Sequence, residues 1–177
     1  MKIREIQAED WPELKVIRLA ALLESPFAFG ATHAEESLLS DEQWQKRALF
    51  YGEDVNTCFV LGFEKRSAVA MAGAYRDKAK SGVAHIYSVW TGPDWRGKGE
   101  SAKVMGVLEQ WALAAGMAIM EGYVTEGNAR ALAFYRKMGF ELTAESIPLR
   151  WDTSVKEIQI RKRLRARTAT TAGQRQQ

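Results

Sequence analysis

Between residues 93 and 101 the sequence reads Pro93-Asp94-Trp95-Arg96-Gly97-Lys98-Gly99-Glu100-Ser101. We interpret this stretch as a turn between a strand and a helix. Two glycines allow the backbone to approach a ligand closely, and the N-terminus of the following helix adds a partial positive charge. Arg96 and Lys98 add full charges, so the stretch predicts a cradle for a pyrophosphate group. The alternative is an ordinary turn with solvated basic side chains, since the P-loop and the dinucleotide-binding fingerprint are both absent.

A second informative segment reads Asn128-Ala129-Arg130-Ala131-Leu132-Ala133-Phe134-Tyr135-Arg136-Lys137-Met138-Gly139-Phe140. Its apolar periodicity predicts a helix, and the spacing of Asn128, Ala131 and Tyr135 places all three on one face. Such a face is suited to line a binding site. Taken alone, the pattern also fits a helix packed on the core, with Tyr135 buried and its hydroxyl hydrogen-bonded.

Outward from these segments, hydrophobic periodicity and capping signals predict the element order β-α-α-β-β-β-α-β-α-β-β. The strands are predicted over residues 2–7, 56–63, 68–75, 83–91, 118–124, 140–147 and 156–164. The first helix follows Asp10 and ends near Ser25, and the second begins after Ser40 with an irregular segment before it. The third ends at Gly116, and the fourth spans residues 128–138. This alternation predicts an α/β fold around a mixed sheet.

The chain has 177 residues, which is enough for one globular domain. Its net charge is +3, from 25 basic and 22 acidic residues. From Arg161 onward there are six basic residues and no acidic one, so residues 1–160 carry 19 basic and 22 acidic groups, a net −3. We therefore predict a single domain over residues 1–164. Residues 165–177 form a basic tail without large apolar side chains, which we expect to be disordered.

Several functional classes are disfavoured. A single cysteine, Cys58, allows no internal disulfide and fits a reducing compartment. Without a signal-peptide pattern or an apolar run long enough to span a bilayer, we expect a cytoplasmic protein with no membrane partner. The two histidines and the cysteine lack metal-ligand spacing, and basic residues are not interleaved with aromatic ones, so neither a metal nor a nucleic acid is predicted. Homodimers are common among soluble enzymes, but no interface is evident from the sequence.

In this order, the two segments resemble the signature of the Gcn5-related N-acetyltransferase family. The family's first motif, Arg/Gln-x-x-Gly-x-Gly/Ala, is similar to Arg96-Gly97-Lys98-Gly99-Glu100-Ser101. The second, Asn-x-x-Ala-x-x-Phe-Tyr-x-x-x-Gly-Phe, matches Asn128 to Phe140 at every signature position. The resemblance covers residues 1–164. It implies the acyl-CoA N-acyltransferase fold, with a mixed, mostly antiparallel central sheet flanked by helices.

Two positions depart from the family pattern. Ser101 stands where the family has glycine or alanine, and its hydroxyl could donate to a phosphate oxygen or crowd it. Thr91 replaces the usual apolar residue at the end of the strand before Pro93. Both changes are expected to weaken cofactor affinity without removing the cofactor site.

The resemblance implies acetyl-CoA as the acetyl donor. The cofactor pyrophosphate would lie on the backbone N–H groups of Arg96, Gly97, Lys98, Gly99, Glu100 and Ser101. The pantetheine arm would lie along Val89, Trp90 and Thr91, where neighbouring strands separate. Asn128 would hydrogen-bond to this arm, and Tyr135 would lie beside the thioester sulfur.

The implied reaction moves the acetyl group directly to a primary amine of a small molecule or protein in a ternary complex. The departing thiolate needs a proton, and a phenol with a pKa of about 10 still holds its proton at neutral pH. Tyr135 is therefore the predicted general acid. His85 is the predicted general base because imidazole titrates near neutral pH and the residue lies on the strand expected to border the site. The alternative is a strand histidine whose hydrogen bonds are satisfied within the protein. Glu121, Tyr123, Glu35 and Glu36 are alternatives, and water could also remove the proton.

The acceptor amine is expected to bind between residues 25–36 and residues 147–151. Phe27 and Phe29 would line a partly apolar pocket, and Glu35 would give it an acidic edge for an ammonium group. An equally good interpretation is a loop attached to the core by the two phenylalanines. A different functional class also stays open, namely a module of the same fold that senses acyl-CoA without transferring the acyl group.

Overall fold

The computed structural model describes residues 1–165, so residues 166–177 of the predicted basic tail lie outside the described residues. The strands are β1 (Lys2–Glu5), β2 (Thr57–Glu64), β3 (Ser67–Arg76), β4 (Val83–Thr91), β5 (Ile119–Thr125), β6 (Glu141–Leu149) and β7 (Asp152–Arg163). The helices are α1 (Trp11–Glu24), α2 (His33–Ser37), α3 (Asp41–Glu53), α4 (Glu100–Ala114) and α5 (Ala129–Lys137). Short 3-10 turns occur at Ala8–Asp10, Pro26–Ala28 and Pro93–Trp95.

All seven strands form one sheet in the order β1-β2-β3-β4-β5-β7-β6. The central pair β4 and β5 is parallel, and every other pair of neighbouring strands in this sheet is antiparallel. On one face, α4 and α5 pack over a core that includes Leu108, Met120, Val124 and Ile160. On the other face, α1 and α3 pack over the first four strands. The predicted α/β fold with a mixed, mostly antiparallel sheet is confirmed.

The two parallel strands pair over three residues of each and then separate. In the described part of the chain, β4 and β5 pair from Val83–Ile119 to His85–Glu121 and not beyond. The backbone groups of β4 past His85 that point toward β5 are therefore free of a ladder partner. This separation opens a cleft in the middle of the sheet, which we call the β4–β5 cleft.

A β-bulge bends β4 beside this cleft. Tyr87 lies opposite Gly73 and Trp90 lies opposite Met71, so β4 has one more residue than β3 over this stretch. Ser88, within the bulge, has a φ of 53°, which is unusual for a residue other than glycine. The side chain of Arg18 on α1 donates to Ser88 Oγ at 3.2 Å. This contact joins the bulge to the first helix.

The predicted order of elements is confirmed with one addition. The segment before Ser40, expected to be irregular, contains the five-residue helix α2. A capping box between Thr32 and Glu35 stabilises its start, in the same way that Ser40 and Gln43 cap α3. Strand β7 also begins at Asp152, four residues before the predicted start. Within residues 1–165, no helix is long and apolar enough to cross a membrane.

Candidate functional site

The β4–β5 cleft brings together residues from five segments of the chain. Eight residues that the motifs predicted for the cofactor line it: Val89, Trp90, Thr91, Arg96, Gly97, Ser101, Asn128 and Tyr135. The rest of the lining comes from the segment after α1, from β5 and from α5: Ser25, Ala28, Tyr123, Val124, Thr125, Arg130, Ala131 and Phe134. Lys98, Gly99 and Glu100 lie at the start of α4, beside this lining.

The turn before α4 has the geometry of an anion cradle. Gly97 and Gly99 have φ angles of 75° and 80°, which favour glycine, and a Cβ atom at either position would meet nothing within 4 Å. Their N–H groups and that of Lys98 make no hydrogen bond to another described residue. The first N–H groups of α4 are also unpaired, as in any helix. The turn therefore presents several donors to one open space beside the positive end of a helix.

Arg96 is held in a position that the sequence did not predict. Its Nη1 and Nη2 donate to the two carboxylate oxygens of Glu24 at 2.9 and 2.7 Å, and its Nε donates to the carbonyl of Thr91 at 2.8 Å. Trp90 Nε1 donates to the same carboxylate at 3.1 Å. The Arg96 guanidinium lowers the pKa of Glu24 to about 2. The positive charge of Arg96, expected to face the ligand, is therefore paired with the Glu24 carboxylate. This pairing is possible because Glu24 is the last residue of α1, which ends beside the glycine turn.

The two residues that depart from the family pattern are in contact with each other. Ser101 Oγ donates to Thr91 Oγ1 at 2.9 Å, and Thr91 is buried. The hydroxyl of Ser101 thus points to the end of β4. Lys98, the other basic residue of the turn, places its Nζ 5.3 Å from the ring centre of Trp95.

Helix α5 contributes an amide and a phenol to the cleft. Asn128 caps the helix, with its Oδ1 accepting from the N–H of Ala131 at 3.1 Å, so its Nδ2 is left to donate to a ligand. The Tyr135 ring packs between Phe134 and Phe140 at centroid distances of 5.3 and 5.4 Å. Burial raises the pKa of the Tyr135 hydroxyl above its ordinary value. Tyr135 therefore keeps its proton throughout the neutral pH range.

The predicted base, His85, is not among the residues that line the cleft. Its Nε2 lies 2.7 Å from Asp77 Oδ2 and 4.0 Å from Glu121 Oε2, and its ring stacks on Tyr75 at 5.3 Å. His85 lies outside the lining because it is the last β4 residue paired with β5, and the cleft opens only after this pair.

The alternative carboxylate bases are each held by cations. Glu121 is buried and contacts Arg161 Nη2 at 2.6 Å and Lys80 Nζ at 3.4 Å. Glu36 is also buried, and contacts the guanidinium groups of Arg18 and Arg47 at 3.1 and 3.0 Å. These ion pairs link secondary-structure elements of the domain to one another.

The third carboxylate, Glu35, pairs with Arg150 at 2.9 Å and completes the cap of α2. Hydrogen bonds to Thr32 lower its pKa. An ammonium group that binds Glu35, as the sequence predicted, would have to compete with Arg150 and Thr32 for the carboxylate.

The two phenylalanines predicted for the acceptor have different surroundings. Phe29 is buried in the core, beneath the guanidinium of Arg18 at 4.8 Å. Phe27 is 48% exposed, and its ring packs on Trp151 at a centroid distance of 5.0 Å. Trp151 Nε1 also donates to the carbonyl of Phe29 at 2.9 Å. This contact between residues 27–29 and the turn from β6 to β7 we call the Phe27–Trp151 bridge.

Four functional candidates were missed from the sequence: Arg18, Glu24, Ser88 and Glu157. Arg18 and Glu24 lie on the predicted first helix but act through partners on β4 and the glycine turn. Glu157 is on β7, where Ile158 and Ile160 alternate with polar residues; this pattern predicted a strand but did not identify the neighbours of Glu157. Cross-strand partners depend on pairing register, which local patterns do not contain.

A mixed sheet whose parallel central strands separate beside a glycine turn and a helix N-terminus defines the acyl-CoA N-acyltransferase fold. A sequence model described as the acetyltransferase (GNAT) family matches residues 3–140, and the chain belongs to that family.

Comparison with individual proteins agrees with this assignment. The chain is 34% identical over 62 residues to an uncharacterized N-acetyltransferase of Methanocaldococcus jannaschii, covering 35% of this chain and 27% of that protein. It is 32% identical over 59 residues to the L-methionine sulfoximine/L-methionine sulfone acetyltransferase of Pseudomonas aeruginosa, covering 33% of this chain and 34% of that protein. The match thus spans about a third or less of these relatives.

Among solved structures, that of yncA from Salmonella typhimurium with its cofactor acetyl-CoA superimposes with a TM-score of 0.75. The two chains share 18% sequence identity over 98% of this chain and 99% of that chain. At this level of identity the likeness concerns the fold.

Proposed function

We propose that this protein is an acetyl-CoA-dependent N-acetyltransferase that moves the acetyl group to a primary amine of a small molecule or protein. One observation carries the proposal: a single cleft holds unpaired backbone donors at the glycine turn and a protonated phenol at Tyr135. A molecule with a pyrophosphate at one end and a thioester at the other has matching chemistry. The family and the acetyl-CoA in the yncA structure support the same donor.

In this proposal the cofactor lies along the cleft. Its pyrophosphate accepts hydrogen bonds from the N–H groups of residues 97–101, next to the positive end of α4. The N–H of Arg96, also expected in this cradle, already donates to the carbonyl of Pro93 at 3.2 Å. Its pantetheine arm pairs with the free backbone groups of Val89–Thr91, and Asn128 donates to the arm through Nδ2. The thioester then reaches the bulge in β4, beside Tyr135.

The chemistry proceeds by direct attack in a ternary complex. The amine nitrogen, with its lone pair free, forms a bond to the thioester carbonyl carbon. An N–H group near the bulge of β4 stabilises the negative charge that develops on the carbonyl oxygen. The carbon–sulfur bond then breaks, and Tyr135 donates its proton to the departing thiolate. The products are the acetylated amine and free CoA, and the proton released by the amine returns through solvent to Tyr135.

The base that deprotonates the amine is a separate question. The role of His85 as this base stays a prediction. Because His85 lies outside the cleft lining, it would have to act on the amine through a water molecule, with Asp77 holding its imidazole. An amine that enters as the free base needs no protein base at all.

The proposal is tested by incubating the protein with acetyl-CoA and a panel of primary amines that includes L-methionine sulfone, putrescine, benzylamine and an alanyl tripeptide. CoA release is followed by thiol titration, and products are identified by mass spectrometry. We expect one amine class to gain a single acetyl group in step with CoA release. Binding of acetyl-CoA without transfer to any amine would favour the acyl-CoA sensor, and no binding at all would contradict both functions.

A further inference from the structure

One face of β5 and β7 carries three cross-strand pairs of polar residues. Met120, Val124 and Ile160 point into the core under α4 and α5, so the alternate residues of both strands point to the opposite face. The pairs there are Glu121 with Arg161, Tyr123 with Gln159, and Thr125 with Glu157. Directly opposed side chains have Cβ atoms about 5 Å apart. Glu157 is therefore an immediate neighbour of Thr125.

Two of the three pairs are satisfied within the protein. Arg161 Nη2 lies 2.6 Å from Glu121 Oε1. Gln159 Nε2 lies 3.5 Å from the Tyr123 hydroxyl and 3.4 Å from Glu121 Oε2. These contacts leave none of the charged or amide groups of the two pairs without a partner.

The third pair is different. Thr125 donates its hydroxyl to the carbonyl of Phe27 and so turns away from its neighbour. No hydrogen bond or ion pair from residues 1–165 reaches the carboxylate of Glu157, although the side chain is partly buried. Burial raises the pKa of Glu157. An uncompensated, partly buried carboxylate lowers stability unless a cation joins it.

The position of Glu157 connects the cofactor cleft with the acceptor side of the sheet. Thr125 lines the β4–β5 cleft, and so does Tyr123 on the same face. The carbonyl that Thr125 contacts belongs to Phe27, whose ring forms the Phe27–Trp151 bridge. Glu157 itself is not among the residues that line the cleft, and a ligand at its carboxylate would lie next to the cleft, beside Thr125.

We infer that Glu157 is the acceptor-binding carboxylate, which receives the ammonium group of a cationic primary amine entering beside the Phe27–Trp151 bridge. This inference rests on the proposed acetyl transfer and specifies its acceptor class. Three other acidic residues that could receive an ammonium group, Glu35, Glu36 and Glu121, are already paired with arginine or lysine. On this face of β5 and β7, Glu121 is paired with a cation, whereas no cation from residues 1–165 pairs with the carboxylate of Glu157.

The test measures acceptor binding separately from turnover. Isothermal titration is carried out on the CoA-saturated protein with benzylamine and with benzyl alcohol, which has the same ring and no positive charge. The variants are Glu157→Gln, Glu157→Asp and, as a matched control, Glu145→Gln on the exposed strand β6. CoA affinity and the melting temperature are recorded for each variant.

We expect wild-type protein to prefer benzylamine over benzyl alcohol by at least about tenfold, the range of a charged hydrogen bond. Glu157→Gln abolishes this preference with CoA affinity unchanged and a melting temperature equal to or above that of wild type. Glu157→Asp retains part of the preference, and Glu145→Gln retains all of it. An unchanged preference in Glu157→Gln, an equal loss in Glu145→Gln, or no preference in wild type would overturn the inference. Amine binding that depends on Glu157 without any acetyl transfer would support it and refute the transfer reaction.

Discussion

Ser101 donates a hydrogen bond from its Oγ to Thr91 Oγ1 at 2.9 Å, so the two departures from the family motif form one contact. This contact joins the first turn of α4 to the end of β4, on the two sides of the glycine turn. The hydroxyl of Ser101 is therefore engaged by the protein, and neither crowding of a phosphate nor donation to it follows from its position. The backbone N–H of Ser101 is still available to an anion.

The Ser101–Thr91 contact predicts a coupled effect on stability. Ser101→Ala leaves the buried Thr91 hydroxyl without this partner and should lower the free energy of unfolding by about 1 kcal/mol. In Thr91→Val the same loss occurs from the other side. Urea denaturation of both single variants and the double variant should give a coupling energy of about 1 kcal/mol. Strictly additive effects, or a large loss of CoA affinity in Ser101→Ala, would show that the hydroxyl acts on the ligand instead.

Glu36 should be one of the most sensitive positions outside the cleft. It is buried between Arg18 and Arg47, and Arg18 also binds Ser88 in the bulge. Glu36→Gln leaves two guanidinium groups without their carboxylate and should destabilise the domain by about 3 kcal/mol. Glu42→Gln, which breaks the exposed pair with Lys46, is the control and should change stability by less than about 0.5 kcal/mol. The free energy of unfolding of both variants is measured by thermal or urea denaturation, and equal losses would contradict a structural role for the buried ion pairs of Glu36.

The contact between Glu24 and Arg96 predicts a pH dependence. The pKa of Glu24 is about 2 in the folded protein, against a reference value of 4.5. Because the folded value is the lower one, the pair stabilises the fold fully above about pH 4.5 and loses this effect as the pH falls toward about 2. The side chain is about a third exposed, so we expect a contribution near 1 kcal/mol at neutral pH. The difference in unfolding free energy between wild type and Glu24→Gln should shrink on acidification, and a pH-independent difference would refute the pairing.

The glycine turn can be tested with three alanine substitutions. Gly97→Ala places a side chain at a φ of 75°, which should cost about 1 kcal/mol of stability even though the space is open. Gly106→Ala lies in the middle of α4 with open space and ordinary φ, so it should stabilise the protein by up to about 1 kcal/mol. Gly30→Ala, also in open space, should be close to neutral. Isothermal titration with CoA should then show weaker binding in Gly97→Ala alone, and equal CoA affinity in all three would argue against the cradle.

The elements of the fold could be predicted because their signals are local. Ser40 and Gln43 cap α3 as their spacing predicts, and Gly116 follows α4 with the positive φ of a helix end. The short helix α2 was missed, even though Thr32 and Glu35 form the same capping box, because its five residues contain no apolar periodicity. Local patterns thus recover the long helices and most strand boundaries.

The parts of the site that could not be predicted depend on contacts between distant residues. Arg96 and Glu24 are 72 positions apart, and no sequence pattern relates them. The position of His85 outside the cleft lining follows from where β4 separates from β5, and the isolation of Glu157 follows from the register of β5 with β7. The motif residues were identified because the family resemblance carries long-range information, whereas the motifs do not include the partners of these ion pairs.

The central claim, acetyl transfer in the β4–β5 cleft with Tyr135 as proton donor, is tested most directly by Tyr135→Phe. This change keeps the ring between Phe134 and Phe140 and removes only the hydroxyl. The measurement is kcat for the best amine of the panel, together with the affinity for CoA by isothermal titration. We predict that kcat falls by about 100-fold or more, the range of general acid catalysis, while CoA affinity stays within about twofold. A kcat equal to that of wild type would contradict the account.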